Sequence, residues 1–432
     1  MKIAVVVQRY GADINGGAEL HARYIAEHLA PHHEVEVLTT CARDYVTWAN
    51  ALPAGAEQVN GVPVRRFPVS QERDVHLFAT RQVQVFERTH SLQDELAWLE
   101  AEGPTSPALL RYIQQHARSY GAFLFFSYRY WHAWHGVRAV PDRAVLVPTA
   151  ERDPAIGLAL FPPIFRGVRA IMFNSLEERA MIEHVAGSPA PGVVVGVGSE
   201  IPAHADGERF RQTFGIKGPF ALYVGRIDEN KGCAELFDFF LRYARQMPGH
   251  LSLVLIGNSI LPVPEHPRVR HLGFLPDRDK FDALAAADLL VMPSYYESLS
   301  MVTLEAWALG RPVLVNARCN VLRGQAVRSQ AGLYYEGYGE FAGALDALAS
   351  SPYLRQALGR SGRAYFQTHY TWPVIERKYL DMLDRLRQEP PPARPLEPLP
   401  GWLERRRRAF PPASYVLERV PSGPAVMEAA RM

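Results

Sequence analysis

Residues 291–312, VMPSYYESLSMVTLEAWALGRP, constrain the fold of this chain more than any other segment. An apolar strand at 289–292 is followed by a short polar loop that carries Glu297, and then by a helical pattern that contains Glu305. This order places a helix N-terminus at the carboxyl end of a strand, where open α/β sheets bind anionic ligands. Carboxylates accept hydrogen bonds from hydroxyl groups, so the two glutamates suit a sugar and a ribose.

The first half of the chain alternates strands and helices. Residues 2–7 form a continuous apolar run, which is typical of a buried parallel strand. Gly16 and Gly17 open a helical pattern, and a second strand follows at 34–39. A strand–helix–strand start is typical of a doubly wound α/β domain. Residues 76–120 then indicate helices inserted into this domain.

The same alternation starts again in the second half of the chain. A strand at 220–224, a charged turn and a helix at 234–245 precede another strand at 251–257. Two successive α/β units with a link near residue 200 predict two doubly wound domains. The predicted division is an N-terminal domain at 1–199, a C-terminal domain at 200–371, a helix at 372–389 and a tail at 390–432.

Composition narrows the classes of function. The chain has 432 residues, of which 48% are hydrophobic and 21% charged, and this fits two globular domains. A net charge of +2 indicates no bulk attraction to nucleic acid. Three scattered cysteines (Cys41, Cys233, Cys319) form no metal or disulfide pattern, which fits a reducing compartment. The N-terminal apolar run is too short for a signal peptide, so we expect a cytoplasmic protein.

The segment around the two glutamates resembles the Glu-x7-Glu motif of retaining glycosyltransferases of family 4. The matching residues are Pro293, Ser294, Glu297, Glu305, Ala306, Ala308, Gly310, Pro312 and Val313. Ser298 and Ser300 replace glycines that are common in the family. Either serine still offers its backbone N–H to a phosphate or can cap the helix. The resemblance implies the GT-B fold, with two Rossmann-like domains that face each other across a cleft. It also implies that the last helix crosses back onto the first domain.

A second match supports a diphosphate site. The segment YVGRIDENKG follows a strand and resembles the family pattern G-R-x4-K-G, whose Arg and Lys hold the donor diphosphate. Arg226 and Lys231 stand at these positions. The leaving diphosphate gains negative charge as the glycosidic bond breaks, and two fixed cations stabilise it without a metal ion. A solvated charged turn is the alternative interpretation of these two residues.

The resemblance implies roles for further donor-site residues. Glu297 lies near the transferred sugar in the family, and Glu305 accepts hydrogen bonds from the ribose. The phosphate site is completed by residues of the motif loop, the nucleobase is contacted in a GFLP segment, and a glycine pair reaches the phosphates from the first domain. In this sequence the residues of the motif loop are Ser298, Leu299, Ser300 and Met301. The nucleobase contacts are Phe274 and Leu275, and the glycine pair is Gly16 and Gly17. No cofactor or metal ion is expected.

The first domain departs from the family at the reaction centre. Family members often carry Thr-x-His at the end of a first-domain strand, and here Thr149 is followed by Ala150 and Glu151. Glu151 can accept a hydrogen bond but cannot act as a neutral imidazole. His132 and His135 are alternative first-domain groups, although histidines among aromatic residues are more often structural. Residues 277–279 (Asp-Arg-Asp) match an Asp-x-Asp metal motif, but aspartate at or before the N-cap of the following helix is the simpler explanation.

The sequence therefore predicts a retaining hexosyl- or related transferase that moves a sugar from a nucleoside-diphosphate donor to an acceptor hydroxyl. In such enzymes the acceptor attacks from the face that the diphosphate leaves, and the leaving oxygen takes the acceptor proton. The expected acceptor is a glycan or a lipid-linked molecule of the cell envelope.

Several alternatives remain open. One is a GT-B nucleotide-sugar epimerase, and another is a non-catalytic nucleotide-binding scaffold of a polysaccharide assembly complex. A NAD-dependent oxidoreductase is disfavoured, because no G-x-G-x-x-G follows the first strand. The proline-rich tail with four arginines at 405–408 predicts either a surface segment or peripheral contact with an anionic membrane.

Overall fold

The computed structural model describes residues 1–14, 16–247, 249, 251–391 and 413–420. Two sheets dominate these residues, one with eight strands and one with six. The hypothesis of membrane contact through the tail falls on residues 405–408 and their neighbours, which lie outside the described residues. Across the part of the chain that is described, no helix is both long enough and apolar enough to cross a membrane.

The first sheet has the strand order β3-β4-β2-β1-β5-β6-β7-β8. Its strands pair in parallel except for an antiparallel hairpin between β3 and β4. Its central strands are buried on both faces, which explains their continuous apolar sequences. The strands are β1 (Lys2–Val6), β2 (Glu34–Thr40), β3 (Gly55–Val59), β4 (Val62–Phe67), β5 (Ala122–Phe126), β6 (Ala144–Val147), β7 (Ala170–Phe173) and β8 (Gly192–Val194).

Seven helices accompany the first sheet in the described residues. They are α1 (Gly17–Leu29), α2 (Val75–Glu87), α3 (Leu92–Glu102), α4 (Pro107–His116), α5 (Trp131–Ala139), α6 (Pro162–Gly167) and α7 (Leu176–Ala186). Three of them, α2 to α4, occupy the segment predicted as a helical insertion. Single 3₁₀ turns lie at Ala117–Ser119 and Pro154–Gly157.

The second sheet is entirely parallel and has the order β11-β10-β9-β12-β13-β14. This is the strand order of a doubly wound domain, with the direction of winding reversing between β9 and β12. The strands are β9 (Phe220–Val224), β10 (Ser252–Ile256), β11 (Val269–His271), β12 (Leu289–Met292), β13 (Val313–Asn316) and β14 (Gly332–Tyr335). The helices are α8 (Gly207–Phe214), α9 (Cys233–Gln246), α10 (Asp277–Ala286), α11 (Met301–Ala308), α12 (Asn320–Ser329), α13 (Tyr338–Ser350) and α14 (Pro352–His369).

The predicted class, α/β with two doubly wound parallel sheets, is confirmed. The predicted domain boundary near residue 200 stays a prediction, and it falls between β8 and α8. Within the described residues, helices α5, α6, α8, α12 and α14 are present although the sequence did not predict them. The longest of these, α14, buries Gly359, Gly362 and Phe366, and two of these three residues are glycines, which carry no apolar side chain for a periodicity argument to detect.

The last long helix, α15 (Trp372–Gln388), packs against α1 of the first half. Trp372 stacks on His28 of α1, with ring centroids 3.6 Å apart. The two ring nitrogens of His28 lie 2.7 Å from Glu200 and 2.5 Å from Glu376. One imidazole thus ties both segments that connect the two halves, the one after β8 and the one that leads into α15. A short helix, α16 (Ala413–Leu417), lies in the described part of the tail.

Close packing of α14 against the end of α11 leads to a matched pair of predictions. A Cβ on Gly359 would lie 2.1 Å from the carbonyl oxygen of Gly310, whereas a Cβ on Gly343 in α13 meets no described atom within 4 Å. We expect Gly359→Ala to destabilise the protein by about 1–3 kcal/mol through overpacking. Gly343→Ala should stabilise it by about 0.5–1 kcal/mol through lower backbone entropy in the unfolded chain.

Urea unfolding of both variants, followed by circular dichroism, measures the two effects. A Gly359→Ala variant as stable as the parent protein would contradict the close approach of α14 to the α11 terminus.

Candidate active site

The predicted site residues follow strands that flank the reversal point of the second sheet. Arg226 and Lys231 follow β9, and Glu297 follows the neighbouring strand β12. Ligands of open α/β sheets bind at this point, outside the carboxyl ends of the strands. Contacts with the first half reach the same edge, because the Asn174 amide donates to Ser298 Oγ at 3.4 Å. The carboxyl edges of both sheets therefore meet at one cleft.

Lys231 and Glu297 form an ion pair at the centre of this cleft. Lys231 Nζ lies 2.8 Å from Glu297 Oε1, and the backbone N–H of Lys231 donates to Asp228 at 2.7 Å. The side chain of Glu297 is 12% exposed and that of Lys231 is 28% exposed, so the pair is shielded from solvent. Burial lowers the pKa of Lys231, but Glu297 and Glu151 outweigh it and raise this pKa above its ordinary value. Lys231 is therefore a fixed cation at neutral pH.

Glu151 approaches the same pair from the first half of the chain. It follows β6, and its charge acts on Lys231 together with that of Glu297. Burial raises the pKa of Glu151, Lys231 lowers it, and the nearby carboxylates of Glu297 and Asp153 raise it further. The structure thus brings together one cation and two carboxylates, with one carboxylate from each half.

Arg226 spans the cleft in the opposite direction. Its Nε donates to Asp228 in the same loop, and its Nη1 donates to the hydroxyl of Tyr45 at 2.6 Å. Tyr45 lies in the loop after β2, so this bond joins the two halves. The Arg226 side chain is 42% exposed and can exchange these partners for an incoming anion.

The loop before α11 forms the floor of the predicted phosphate site. Ser300 is the N-cap residue of α11 and has a left-handed backbone, with φ of 72°. Its hydroxyl lies 2.9 Å from the Thr303 hydroxyl rather than bonding a backbone N–H, so the expected serine side-chain cap is wrong at this position. The N–H groups of Ser298, Leu299, Ser300 and Met301 precede or begin the helix, where a positive dipole favours anions.

Glu305 lies on α11, one turn inside the helix, and is 4% exposed. Its Oε1 accepts a hydrogen bond from Lys280 Nζ at 3.0 Å, and Lys280 also pairs with Asp277 at 3.2 Å. Burial raises the pKa of Glu305, and Lys280 lowers it. A ribose diol that bonds Glu305 must therefore compete with or join Lys280.

The remaining residues that the sequence predicts to bind the donor are Phe274, Leu275, Gly16 and Gly17. Phe274 is 61% exposed, and Leu275 is half-buried against the core. Gly16 is the N-cap residue of α1, and a Cβ there would lie 2.2 Å from the Glu19 carboxylate, so a larger residue would have to displace that side chain. Glu19 in turn accepts from Arg9 Nε at 2.8 Å. At Gly17 a Cβ would meet no described atom within 4 Å.

The alternative first-domain histidines have structural environments. His132 is buried and lies 3.1 Å from the Phe126 carbonyl oxygen, and burial lowers its pKa to about 4. His135 pairs with Glu100 on the neighbouring helix α3 at 3.3 Å. These contacts remove both residues from the list of candidate substitutes for Glu151.

The Asp-x-Asp segment also has a structural explanation. Asp277 and Asp279 lie in the first turn of α10, after the N-cap residue Pro276, so the expectation of an aspartate cap is wrong. Asp279 pairs with Arg209 of α8 at 2.6 Å. Within the residues that the structure describes, no cluster of three or more His, Cys, Asp or Glu side chains could hold a metal ion.

Comparisons with known proteins agree with this geometry. The family model described as glycosyl transferases group 1 matches residues 206–365. The D-inositol 3-phosphate glycosyltransferase of Kribbella flavida is 26% identical over 348 residues, which cover 74% of this chain and 80% of the relative.

Two solved structures share the fold. Sucrose-phosphate synthase of Thermosynechococcus elongatus has a TM-score of 0.65 at 17% identity, covering 90% of this chain and 99% of its own. Anabaena HepE in complex with UDP-glucose has a TM-score of 0.65 at 18% identity, covering 89% and 99%.

The predicted resemblance to glycosyltransferase family 4 is confirmed, and residues 206–365 match the family model of glycosyl transferases group 1. Its fold is GT-B, and the predicted enzyme class, a glycosyltransferase that uses a nucleotide-sugar donor, is confirmed. The roles of individual residues stay predictions.

Four residues near the site of this glycosyltransferase were not predicted, namely Tyr45, Asn174, Glu178 and Lys280. Each acts through a contact that is distant in the chain, so local sequence carries no signal for three of them. Glu178 does have a local sequence signal, because Ser175 and Glu178 match the S-x-x-E pattern of a helix start. That pattern predicts the start of α7 and not the role of the carboxylate.

Glu178 supports both first-domain loops at the cleft. Its Oε1 accepts from the Ala150 backbone N–H at 2.5 Å, and its Oε2 accepts from the Asn174 backbone N–H at 2.5 Å. Glu178 therefore fixes the residue before Glu151 and the residue that reaches Ser298. Burial raises its pKa to about 8, although the two N–H bonds lower it.

This raised pKa predicts how stability depends on pH. The folded state keeps the Glu178 proton up to about pH 8, whereas the unfolded state loses it near the ordinary value of 4.5. The unfolding free energy should therefore fall as pH rises toward 8, by up to about 1.4 kcal/mol per pH unit. We expect this slope in urea midpoints measured between about pH 7 and pH 8, and it should vanish above about pH 9, where both states have lost the proton.

Glu178→Gln is the matched variant, because it keeps the side-chain shape and removes the titration. Its slope above pH 7 should be smaller than that of the parent protein. His21 and His132 do not contribute in this window, since burial lowers the pKa of each to about 3 and about 4. Equal slopes in the two proteins would show that Glu178 does not titrate there.

Proposed function

We propose that this enzyme is a retaining transferase that moves a sugar from a nucleoside diphosphate to an acceptor hydroxyl. The observation that carries the proposal is the position of Arg226, Lys231 and Glu297 at the reversal point of the second sheet, beside the α11 N-terminus. An anionic diphosphate is favoured there by the helix dipole and by two fixed cations.

Arg226 and Lys231 are the residues that would stabilise the leaving diphosphate. Both are held by Asp228, which bonds the Arg226 side chain and the Lys231 backbone N–H. Two cations fixed before the reaction need little reorganisation when charge develops on the diphosphate. Each is expected to lower the activation barrier by a few kcal/mol, which is about the effect of one such donor in other enzymes.

Glu297 would orient the transferred sugar. In the unliganded arrangement it accepts from Lys231 at 2.8 Å. When Lys231 turns to a phosphate oxygen, the carboxylate can accept hydrogen bonds from sugar hydroxyls instead. The ion pair thus keeps both groups in place until the donor binds.

Glu151 would contact the acceptor hydroxyl or the donor sugar. It stands at the family's histidine position, and its charge acts on the same Lys231 that bonds Glu297. A carboxylate close to the reaction centre can accept the hydrogen bond of the attacking hydroxyl. The proton then passes to the leaving diphosphate oxygen, so Glu151 need not be a strong base.

The identity of the donor and acceptor is also part of the proposal. UDP-glucose is the first donor to test, because HepE, which shares the fold, binds UDP-glucose. The sequence expectation of an envelope glycan or lipid-linked acceptor rests on analogy. The D-inositol 3-phosphate glycosyltransferase and the sucrose-phosphate synthase are named for small phosphorylated compounds, so such acceptors belong in the assay as well.

Nucleotide binding tests the diphosphate site. We expect one of UDP, GDP, ADP or TDP to raise the midpoint of thermal unfolding, with or without magnesium, because fixed cations bind the diphosphate. Arg226→Ala should lose most of this rise. Arg242→Ala, an exposed arginine on the outer side of α9, is the control and should keep it.

A rise that survives in Arg226→Ala, or no rise with any of the four nucleotides, would contradict the proposed site. Conversion of a nucleotide-sugar without any acceptor would instead support an epimerase.

The role of Glu151 makes a separate kinetic prediction. Glu151→Gln should lower kcat by about 10²–10⁴-fold if this carboxylate orients the attacking hydroxyl. The nucleotide concentration that gives half of the thermal shift should change by less than about twofold, since Glu151 does not contact the phosphates under this proposal.

Initial rates of sugar transfer measure the first effect, and thermal shift measures the second. Equal kcat values in Glu151→Gln and the parent enzyme would exclude Glu151 from the reaction.

A further inference from the structure

A polar cavity lies at the edge of the second sheet opposite to the candidate active site. Its volume is about 180 Å³, and its walls come from the starts of β12, β13 and α14. The lining residues are Asp288, Gly310, Arg311, Pro312, Pro352, Arg355 and Gln356. None of the residues assigned to the donor or acceptor site is among these.

Arginines outnumber acidic groups around this cavity. Among the described residues whose charges act on Arg311, three are arginines and one is an aspartate. The arginines are Arg211, Arg355 and Arg363, and the aspartate is Asp288. The Arg363 guanidinium lies against Gly310, since a Cβ on that glycine would be 3.1 Å from Arg363 Nη2. Four guanidinium groups thus lie close enough to interact, and Asp288 is the acidic group that acts most strongly on Arg311.

The known bonds of these arginines leave their charge uncompensated. Arg311 donates to the Ala285 carbonyl, Arg355 donates to the Leu348 and Ala349 carbonyls, and Arg211 donates to the Ala286 carbonyl. Carbonyl groups satisfy hydrogen bonds but do not neutralise a cation. Arg355 alone reaches the carboxylate of Asp288, at 3.2 Å, while Arg311 Nε is buried and has no hydrogen-bond partner among the described residues.

Capping of helix ends explains part of this arrangement. Arg211 and Arg311 bond the last carbonyls of α10, where cations are favoured. Capping does not explain why Arg355 lines the cavity and Arg363 lies against Gly310 in its wall. It also leaves the Arg311 Nε–H without a partner, although buried donors are generally satisfied. The first turn of α14 borders the cavity too, and its dipole adds to the positive potential.

We propose that this cavity binds a small molecule through a phosphate dianion held by Arg311, Arg355 and Arg363. Guanidinium groups bind phosphate oxygens in pairs, and this geometry favours phosphate over halide ions. A cavity of about 180 Å³ is smaller than the roughly 300–1,000 Å³ typical of larger ligands, which favours inorganic phosphate or a sugar phosphate over a nucleotide-sugar.

The position of the cavity gives such a ligand a route to the active site. Helix α11 starts at the predicted phosphate loop and ends at Ala308, two residues before Gly310 in the cavity wall. A helix of eight residues is about 12 Å long. A ligand that pulls Arg311 or Arg363 toward itself acts on the end of the same helix that carries Glu305. Under this proposal, a phosphorylated compound bound in the cavity changes the affinity of the active site for the donor.

Thermal shift with inorganic phosphate and with a hexose phosphate, against chloride at matched ionic strength, tests the site. We expect a saturable rise in the unfolding midpoint that persists in Arg226→Ala, because the donor site is not involved. Arg363→Gln should raise the half-saturating concentration at least about tenfold through loss of one charge-assisted contact. Arg245→Gln, an exposed arginine on α9, removes the same charge and should change little.

The arms of the experiment separate the possible results. A larger effect of the hexose phosphate than of inorganic phosphate would identify a phosphate ester as the ligand, and equal effects would identify phosphate itself. No saturable rise in the parent protein would overturn the proposal. A rise that disappears in Arg226→Ala but survives in Arg363→Gln would assign the binding to the donor site and would also overturn it.

Discussion

The ion pair between Lys231 and Glu297 is the interaction on which the candidate site depends. It joins the loop after β9 to the loop after β12, which are the two strands that flank the reversal point of the second sheet. The pair is shielded from solvent, so its geometry is fixed by packing and by Asp228 rather than by free rotation. Glu151 then brings the first half of the chain to the same cation. Without Lys231, two carboxylates from opposite halves would face each other in a partly desolvated cleft, at a high electrostatic cost.

The two halves are held at this distance by the segments that connect them. The chain crosses between them before α8 and again before α15, and His28 bonds acidic residues from both crossings. A Cβ on Gly198 would lie 2.6 Å from the Trp372 ring, and one on Gly196 would lie 2.7 Å from the Tyr370 ring. Any larger residue would push the two crossing segments apart. The contacts of His28, Gly196 and Gly198 therefore fix the width of the cleft, although these residues lie outside the group of candidate catalytic residues.

The strands could be predicted from the sequence, and so could the proximity of Lys231 and Glu297 in the second half, because these signals are local. Buried parallel strands are short apolar runs, and Arg226, Lys231, Glu297 and Glu305 lie within two motifs next to such strands. Helix α14, which was not predicted, shows the limit, since two of its three buried residues are Gly359 and Gly362, which carry no apolar side chain. Partners such as Lys280 of Glu305 and Tyr45 of Arg226 could not be predicted. They are 25 and 181 residues away in the chain, and the fold alone brings them together.

Replacing a histidine by Glu151 changes the charge of the reaction centre, and the surrounding residues explain how this change is tolerated. Lys231 lies between Glu151 and Glu297 and offsets one negative charge. When a donor diphosphate takes over Lys231, the two carboxylates lose that cation and one of them must gain a proton or sugar hydroxyl donors. Burial already raises the pKa of Glu151, so protonation costs less there than at an exposed carboxylate. Under the proposed function, the carbonyl oxygen of the protonated group still accepts the hydrogen bond of the attacking hydroxyl. Glu178, which holds the adjacent Ala150 N–H, fixes this carboxyl group relative to the cleft.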